Sequence, residues 1–307
     1  MAKIKVAVLM GGKSPEYEIS LISGREVVKQ LDKNKYDVFP ILIAKSGTGT
    51  EKVLKLEVDV AFIAMHGPFG EDGVVQGMLE LASLKYTGSG VLASAIGMDK
   101  IMFRKVLSSQ KIPIPKYVVL RKGGPRGIVK KILGAPPYFV KPSNQGSSVG
   151  ASIVKGEKEM GKALKLAFRF SDTVLVDEYL KGLELTCALL GNENPLALPV
   201  IEIHPKKGEF FDYDSKYTES GADEIVPARI GKKITKRIQE IAKEVHNLIG
   251  VRGFSRVDFI LKDNLTPYVL EINTIPGLTP MSLLPRAAKE AGYSYPALLE
   301  AIIKYAL

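Results

Sequence analysis

The chain has 307 residues, 46% hydrophobic and 25% charged, an ordinary composition for a soluble globular protein with room for two or three domains. No apolar run approaches the roughly 18 residues of a transmembrane helix, so no membrane association is expected. The formal charge is +10, but the basic residues are spread, aromatics make up 7% and no nucleic-acid-binding motif appears. Solvated, lysine-rich helix faces are therefore expected rather than a nucleic-acid partner.

In chain order, a first block alternates strands and helices: strand Lys3 to Met10, helix Ser14 to Leu31, strands Tyr36 to Ala44 and Val58 to Met65, and helix Glu71 to Leu84. Ser14-Pro15-Glu16 supplies an N-cap, a proline at the first helical position and an acid in the first turn. The basic and apolar start is too short for a signal sequence and is read as the first strand. Such alternation implies a parallel sheet with ligands at the carboxyl ends of its strands. Gly11-Gly12 and the loop from His66 to Gly73 fall there.

The second block follows the hinge-like Tyr86-Thr87-Gly88-Ser89-Gly90. It holds a helix from Val91 to Gln110, a strand at Tyr117 to Leu120, a short helix Gly127 to Leu133, strand Tyr138 to Lys141, a glycine-serine loop to Gly150, helix Glu157 to Phe170 and strand Val174 to Tyr179. The third block is strand-rich, with Glu184 to Leu190, Leu196 to Ile203 and Phe210 to Tyr213, then a polar loop. Helix Lys232 to Leu248, a hairpin, and helices from Pro285 and Tyr295 close the chain. His246 is expected on the polar part of its helix. Cys187, the single cysteine, excludes an intrachain disulfide framework and leaves the cytoplasm as the simplest location; it is expected in the core.

The hairpin carries the strongest chemical signal. Phe254-Ser255-Arg256-Val257-Asp258-Phe259-Ile260-Leu261 and Pro267-Tyr268-Val269-Leu270-Glu271-Ile272-Asn273 are apolar strands interrupted by polar residues. Strand alternation puts Arg256 and Asp258 on one face, and Glu271 and Asn273 on one face of the next strand. With a turn over residues 262–266, Asp258 is expected opposite Glu271 and Arg256 opposite Asn273. Facing like charges destabilise a ladder, so the arrangement calls for a cation. Two carboxylates and an amide oxygen are hard ligands suited to Mg²⁺ bound together with phosphate.

Lys141 stands at a strand end before Pro142-Ser143-Asn144-Gln145-Gly146-Ser147-Ser148-Val149-Gly150, a loop whose amides, hydroxyls and backbone N–H groups suit phosphate. A plain hairpin loop has the same composition; the neighbouring metal hairpin favours phosphate. Gly12-Lys13-Ser14 ends like a P-loop, but Ala7 replaces the required first glycine. Glu178 and Glu184 flank an interdomain segment and are either nucleotide contacts or surface acids, the second being commoner for such residues. The three histidines and the cysteine lack metal-ligand spacing. His66, at a strand end before a Gly-rich loop, is the histidine placed to meet a ligand.

Taken together the chain resembles the D-alanine–D-alanine ligases of the ATP-grasp superfamily over nearly its full length. The residues carrying the resemblance are Gly11-Gly12-Lys13-Ser14-Pro15-Glu16, His66-Gly67, Gly70-Glu71-Asp72-Gly73, Tyr86 to Gly90, Met98-Asp99-Lys100, Lys141-Pro142-Ser143, Gly146 to Gly150, Lys216-Tyr217, Arg256-Val257-Asp258 and Glu271 to Thr279. The resemblance implies an α/β, three-domain ATP-grasp architecture: an N-terminal substrate domain (1–90), a central domain (91–181) and a C-terminal catalytic domain (182–307), with nucleotide held between the last two. It implies ATP-dependent joining of two D-alanines through a D-alanyl phosphate, for peptidoglycan precursors. Lys100, Lys141 and Ser148 would meet ATP phosphates, Glu178, Tyr179 and Leu180 would line adenine, and Glu184 would lie near ribose. Asp258, Glu271 and Asn273 would hold Mg²⁺, two ions in all, with Mn²⁺ an acceptable substitute.

The resemblance further implies that Glu16 pairs with the first D-alanine's ammonium, beside His66, and that Arg256 and the Gly277 N–H steady the tetrahedral oxyanion. Glu16, Ser147 and Tyr217 would close a loop over the substrates, while Lys216, Ser282 and the Leu283 N–H hold phosphate and the second carboxylate. Tyr217 goes with D-alanine as second substrate. Met281 stands where some members have histidine, and Asn144-Gln145 where others have charges, which bears on loop dynamics and affinity. A homodimer is implied by resemblance alone. The alternatives are another ATP-grasp carboxylate–amine or D-Ala–D-hydroxy-acid ligase, and a non-enzymatic nucleotide-binding or nucleic-acid-binding protein.

Overall fold

The computed structural model of the protein describes residues 2–55, 57–206, 221–263 and 265–307. The expected α/β architecture is present, organised around three sheets. The first is parallel, with β1 (Ile4–Gly11) between β2 (Tyr36–Ile43) and β3 (Val60–Ile63). Parallel strands covered on both faces read as continuous apolar runs, and β1 and β3 are buried almost throughout. Helices α1 (Tyr17–Gln30), α2 (Thr50–Val53) and α3 (Val74–Leu81) belong to this part of the chain. Two helices from the far end, α9 (Leu283–Glu290) and α10 (Tyr295–Lys304), contribute Leu284, Leu299 and Ile302 to the same core.

The expected long helix from Val91 is two helices, α4 (Val91–Met98) and α5 (Lys100–Ser109). Asp99 leaves the helical region at φ −82, ψ 96, and its carboxylate accepts from the N–H groups of Ile101 and Met102. That capping satisfies two otherwise orphaned donors and makes Lys100 the first residue of a new helix. Next come β4 (Tyr117–Arg121), α6 (Gly127–Leu133), β5 (Tyr138–Pro142), β6 (Ser152–Val154), α7 (Glu157–Ala167) and β7 (Thr173–Glu178). They form an antiparallel sheet in the order β4-β7-β5-β6, whose core includes Val140, Leu164 and Val176. The short β6 was missed because three residues after a glycine-rich loop show no usable alternation.

The third sheet has the order β11-β10-β8-β12-β13, with β9 against β8. Its strands are β8 (Leu183–Leu190), β9 (Leu196–Ala197), β10 (Ile201–Pro205), β11 (Ala222–Ile225), β12 (Phe254–Leu261) and β13 (Pro267–Asn273). The single strand expected from Leu196 to Ile203 is split around Pro199, whose nitrogen cannot donate to a ladder. The strand expected at Phe210 to Tyr213 lies outside the described residues. Helix α8 (Lys232–Leu248) covers one face, burying Ile238, Ile241 and Val245 against Val257 and Phe259. Phe103 and Leu107 of α5 join that core, so the helix beginning at Lys100 is fixed to the hairpin sheet. Cys187 is buried there as expected, its thiol pushed up to about 12 by burial. Among the described residues no helix is long and apolar enough to cross a membrane.

His246 departs from its expected place on the polar part of α8. It is fully buried, and its Nδ1 lies 2.8 Å from Ser255 Oγ on β12. A serine partner inside the strand core makes burial acceptable, which helical periodicity alone does not reveal. Burial pushes its pKa down to about 4, from an ordinary value of 6.5. Below pH 6.5 the unfolded chain takes up a proton that the native imidazole refuses until about pH 4. This contribution to stability is complete above the first value and falls by up to about 3 kcal/mol as pH drops to the second. Urea midpoints measured across that window should drop steeply for the native sequence and less steeply for His246→Gln; equal slopes would show that His246 is not the group responsible.

Candidate active site

Asp258 lies opposite Glu271 and Arg256 opposite Asn273 as expected, but not through a symmetric turn: Leu261 pairs with Pro267, and a bulge immediately after Asp258 shifts the ladder by one residue to bring the two carboxylates together. The Asp258 carboxylate accepts from Arg256 Nε and Nη2, both at 2.8 Å, from Thr186 Oγ1 at 2.5 Å and from Asn273 Nδ2 at 3.0 Å. Glu271 faces Lys100 Nζ at 3.5 Å. Each carboxylate therefore has its own cation, which relieves the repulsion inherent in the register. Asn273 donates through nitrogen, leaving its amide oxygen as the remaining hard donor. Among the described residues no group of three or more His, Cys, Asp or Glu side chains has the arrangement of a metal cage. Two carboxylates and one amide oxygen fit a hydrated Mg²⁺ that takes its other ligands from phosphate, the habit of this ion.

A cavity of about 270 Å³ lies between this hairpin and the sheet of β5 and β7. Lys100 enters it from the start of α5, its backbone N–H tied to Ser143 O at 2.9 Å and its Nζ to Gln145 O at 2.6 Å. Lys141 enters from the end of β5, with Nζ 3.0 Å from Asp177 Oδ2. Burial lowers the Lys141 pKa, and Asp177 works against that shift. Tyr179, Leu180 and Glu184 line the cavity along the passage from β7 to β8, and Ser148 lines it from the loop. Glu178 also borders it, but its carboxylate is held by the Lys116 N–H at 2.8 Å.

Asp177 was not singled out from the sequence, yet it is the buried acid of this wall. Its signal lies in the strand pairing rather than in the residue order. In β5–β7 pairing Lys141 is opposite Leu175, and Asp177 lies two residues along on the same face. The adjacent Glu178 drew attention, but it points to the opposite face.

The other end of the site centres on Glu16, buried at the N-cap of α1. Its carboxylate accepts a short hydrogen bond from Ser147 Oγ, joining α1 to the loop after β5. Ser147 and Ser148 have φ values of 48 and 58, the left-handed region usually left to glycine. His66 is buried, with Nε2 2.8 Å from Ser23 Oγ and Nδ1 3.1 Å from Ile275 O and 3.4 Å from Glu71 Oε1. Burial opposes its charged form, but the carboxylates of Glu71 and Glu16 lift it above its ordinary pKa. Glu71 is itself raised by burial and by Glu16. Ser282 occupies the N-cap position of α9 without capping it through its side chain, whose Oγ instead accepts from Thr279 N–H at 3.2 Å, and Leu283 is the first helical residue. Gly277 approaches so closely that a Cβ there would lie 2.8 Å from Ser282 Oγ. Met281 is exposed. Lys216 and Tyr217 lie outside the described residues.

Comparison with known proteins gives a consistent result. Residues 5–53 and 48–89 match the family model described as D-ala D-ala ligase N-terminus. Residues 106–304 match the model described as D-ala D-ala ligase C-terminus. The chain is 44% identical over 306 residues to a D-alanine–D-alanine ligase of Desulforudis audaxviator (strain MP104C), covering 98% of each. It is 44% identical to one from Geobacter sulfurreducens, covering 97% of this chain and 93% of that protein. Among solved structures, the D-alanine–D-alanine ligase from Bacillus anthracis complexed with ATP superposes with a TM-score of 0.86 at 34% identity, covering 100% of this chain and 97% of that one. The VanG D-Ala:D-Ser ligase from Enterococcus faecalis gives 0.87 at 34% identity, with complete coverage of both chains.

The clasp between α1 and the loop gives a test that needs no ligand. Gly67 has φ +73, and a Cβ there would lie 2.3 Å from Ser14 Oγ and 2.5 Å from Glu16 Oε2. Gly67→Ala should therefore displace Glu16, release Ser147 and speed amide hydrogen exchange across residues 143–150. Exchange identical to the native rate would mean that Glu16 does not hold the loop.

Proposed function

Because this chain belongs to the D-alanine–D-alanine ligase family, we propose that the cleft between β5, β7 and the β12–β13 hairpin carries out ATP-dependent joining of two D-alanines. The observation that carries the assignment to this cleft is the convergence of Lys100, Lys141, Asp258 and Glu271 on one cavity. Two cations and two carboxylates in a partly desolvated space suit phosphoryl transfer, which needs positioning and charge neutralisation rather than a protein nucleophile. The single thiol is buried elsewhere and plays no part.

The first D-alanine carboxylate attacks the γ-phosphate of ATP, releasing ADP and giving D-alanyl phosphate. The amine of the second attacks that carbonyl, and collapse of the tetrahedral intermediate expels phosphate and leaves the dipeptide. Lys100 and Lys141 orient the phosphates; Tyr179, Leu180 and Glu184 border the nucleoside. Asp258, Glu271 and the Asn273 oxygen would hold Mg²⁺, which would supply charge neutralisation on the phosphates. Arg256, fixed by its two bonds to Asp258, directs its guanidinium charge at the oxyanion, and the Gly277 N–H adds a donor. Glu16 receives the first substrate's ammonium, and His66 stands behind it within a carboxylate pair. Ser282 and the Leu283 N–H, at the start of α9, receive the second carboxylate. The Glu16–Ser147 contact draws the loop over the reactants and excludes water, which would hydrolyse the acyl phosphate. A homodimer and a cytoplasmic site of action are part of the same proposal.

A coupled assay of ADP release with D-alanine, L-alanine, D-lactate and D-serine tests the assignment. D-alanine alone should drive ADP formation and yield D-alanyl-D-alanine; release no greater with D-alanine than without it would overturn the activity. Preferential use of D-serine or D-lactate as second substrate would revise the product. Asp258→Asn and Glu271→Gln should each lower kcat by at least about a hundredfold without unfolding the chain, the scale expected for losing an electrostatic group in phosphoryl transfer. A fully active variant would remove that residue from the metal site.

A further inference from the structure

Arg104 is the largest of the fully buried side chains, and its guanidinium reaches three other walls of the nucleotide cleft. One terminal nitrogen donates to Pro115 O at 3.1 Å. The other donates to Asp177 Oδ2 at 3.0 Å and reaches Leu270 O at 3.5 Å. Arg104 itself lies four residues after Lys100 on α5, so the two share a helix face. Leu270 immediately precedes Glu271, and Pro115 lines the cavity. The guanidinium also stands 5.8 Å from the centroid of the Tyr117 ring. One immobile cation thus ties together the helix bearing Lys100, the strand bearing Asp177, the Pro115 segment and the strand bearing Glu271.

Asp177 Oδ2 is shared. Lys141 Nζ lies at the same 3.0 Å distance as Arg104, so one carboxylate oxygen bridges a fixed cation and a flexible one. A lysine that engages phosphate must leave part of this bridge. Were Lys141 the only partner, its departure would strand a buried carboxylate without a counter-charge, which is strongly unfavourable. Arg104 removes that obstacle because its fork is anchored at both terminal nitrogens and does not move with the ligand.

We infer that Arg104 is a positioning residue for nucleotide binding: it holds the Asp177 carboxylate in place and paired, so that Lys141 can pass from Asp177 to a nucleotide phosphate. This rests on the assignment of the cleft to ATP and deepens it. The role is distinct from simple structural support. A merely structural arginine would, when replaced, lower Tm and the folded fraction while leaving nucleotide affinity per folded molecule unchanged.

The experiment measures ADP affinity by calorimetry in the presence of Mg²⁺, together with KM for ATP, KM for D-alanine and kcat, on Arg104→Met, Arg104→Lys, Asp177→Asn and the Met/Asn double variant. Arg104→Met should weaken ADP and raise KM for ATP by about tenfold or more, with KM for D-alanine unchanged. Arg104→Lys keeps the charge but loses the fork, and should fall between it and the native protein. Because Arg104 acts through Asp177, the double variant should bind ADP no more weakly than the worse single variant. Native ADP affinity in folded Arg104→Met, or additive losses in the double variant, would overturn the inference. Should Arg104→Met not fold, Arg104→Lys decides it, with native ADP affinity the contrary result. The calorimetry separates the two levels. Native protein that binds ADP but shows no D-alanine-dependent turnover would refute the ligase activity alone, whereas ADP affinity untouched by Lys141→Met would refute the cleft on which both rest.

Discussion

Two carboxylates facing each other across an antiparallel ladder set the terms for this molecule. Asp258 and Glu271 occupy opposed positions where like charges destabilise a sheet. Their compensation comes from three different elements. Arg256 forks onto Asp258 from its own strand, Thr186 donates from β8, and Lys100 approaches Glu271 from the start of α5. The last contact binds the hairpin to a helix that carries a proposed phosphate ligand. The capping of α5 by Asp99 is therefore more than a helix ending: it fixes the point from which Lys100 emerges.

A second set of charges extends the same principle into the neighbouring sheet. Lys141, Asp177 and Arg104 alternate in sign, with Asp177 and Arg104 almost wholly buried. Buried ion pairs contribute little net stability, because desolvation consumes most of the attraction, but removing one member is costly. Such a network is better suited to specifying geometry than to adding stability. Both lysines of the cleft rest against carboxylates, so a phosphate arriving there exchanges one anionic partner for another. That exchange avoids the full cost of desolvating a free ammonium at the moment of binding.

The hairpin was legible because its information is local. A period of two fixes the shared faces, but the Asp258–Glu271 opposition itself depends on the bulge after Asp258: continued without it from Leu261 opposite Pro267, the ladder would have set Asp258 opposite Leu270. The first parallel sheet and α8 were legible for similar reasons, through continuous apolar runs and helical periodicity. The break at Asp99 was not, because apolar spacing continues across it and the capping geometry decides. His246 was misplaced because Ser255, its partner, lies across a sheet packed against the helix. Asp177 was overlooked beside Glu178, although pairing puts Asp177 with Lys141 and turns Glu178 toward Lys116. In each case the missing information was which face of an element meets a second element, and one sequence does not contain that directly.

The bond between Ser147 and Glu16 links these observations to the order of events in the site. Ser147 and Ser148 occupy left-handed backbone at about 1–2 kcal/mol each, so their loop conformation must be held from outside. Glu16 supplies one such hold, and it is itself the residue proposed to receive the first substrate's ammonium. An ammonium arriving at Glu16 meets the same carboxylate that accepts from Ser147. Binding of the first amino acid and retention of the loop over the nucleotide are therefore coupled, because both contacts are made to one side chain.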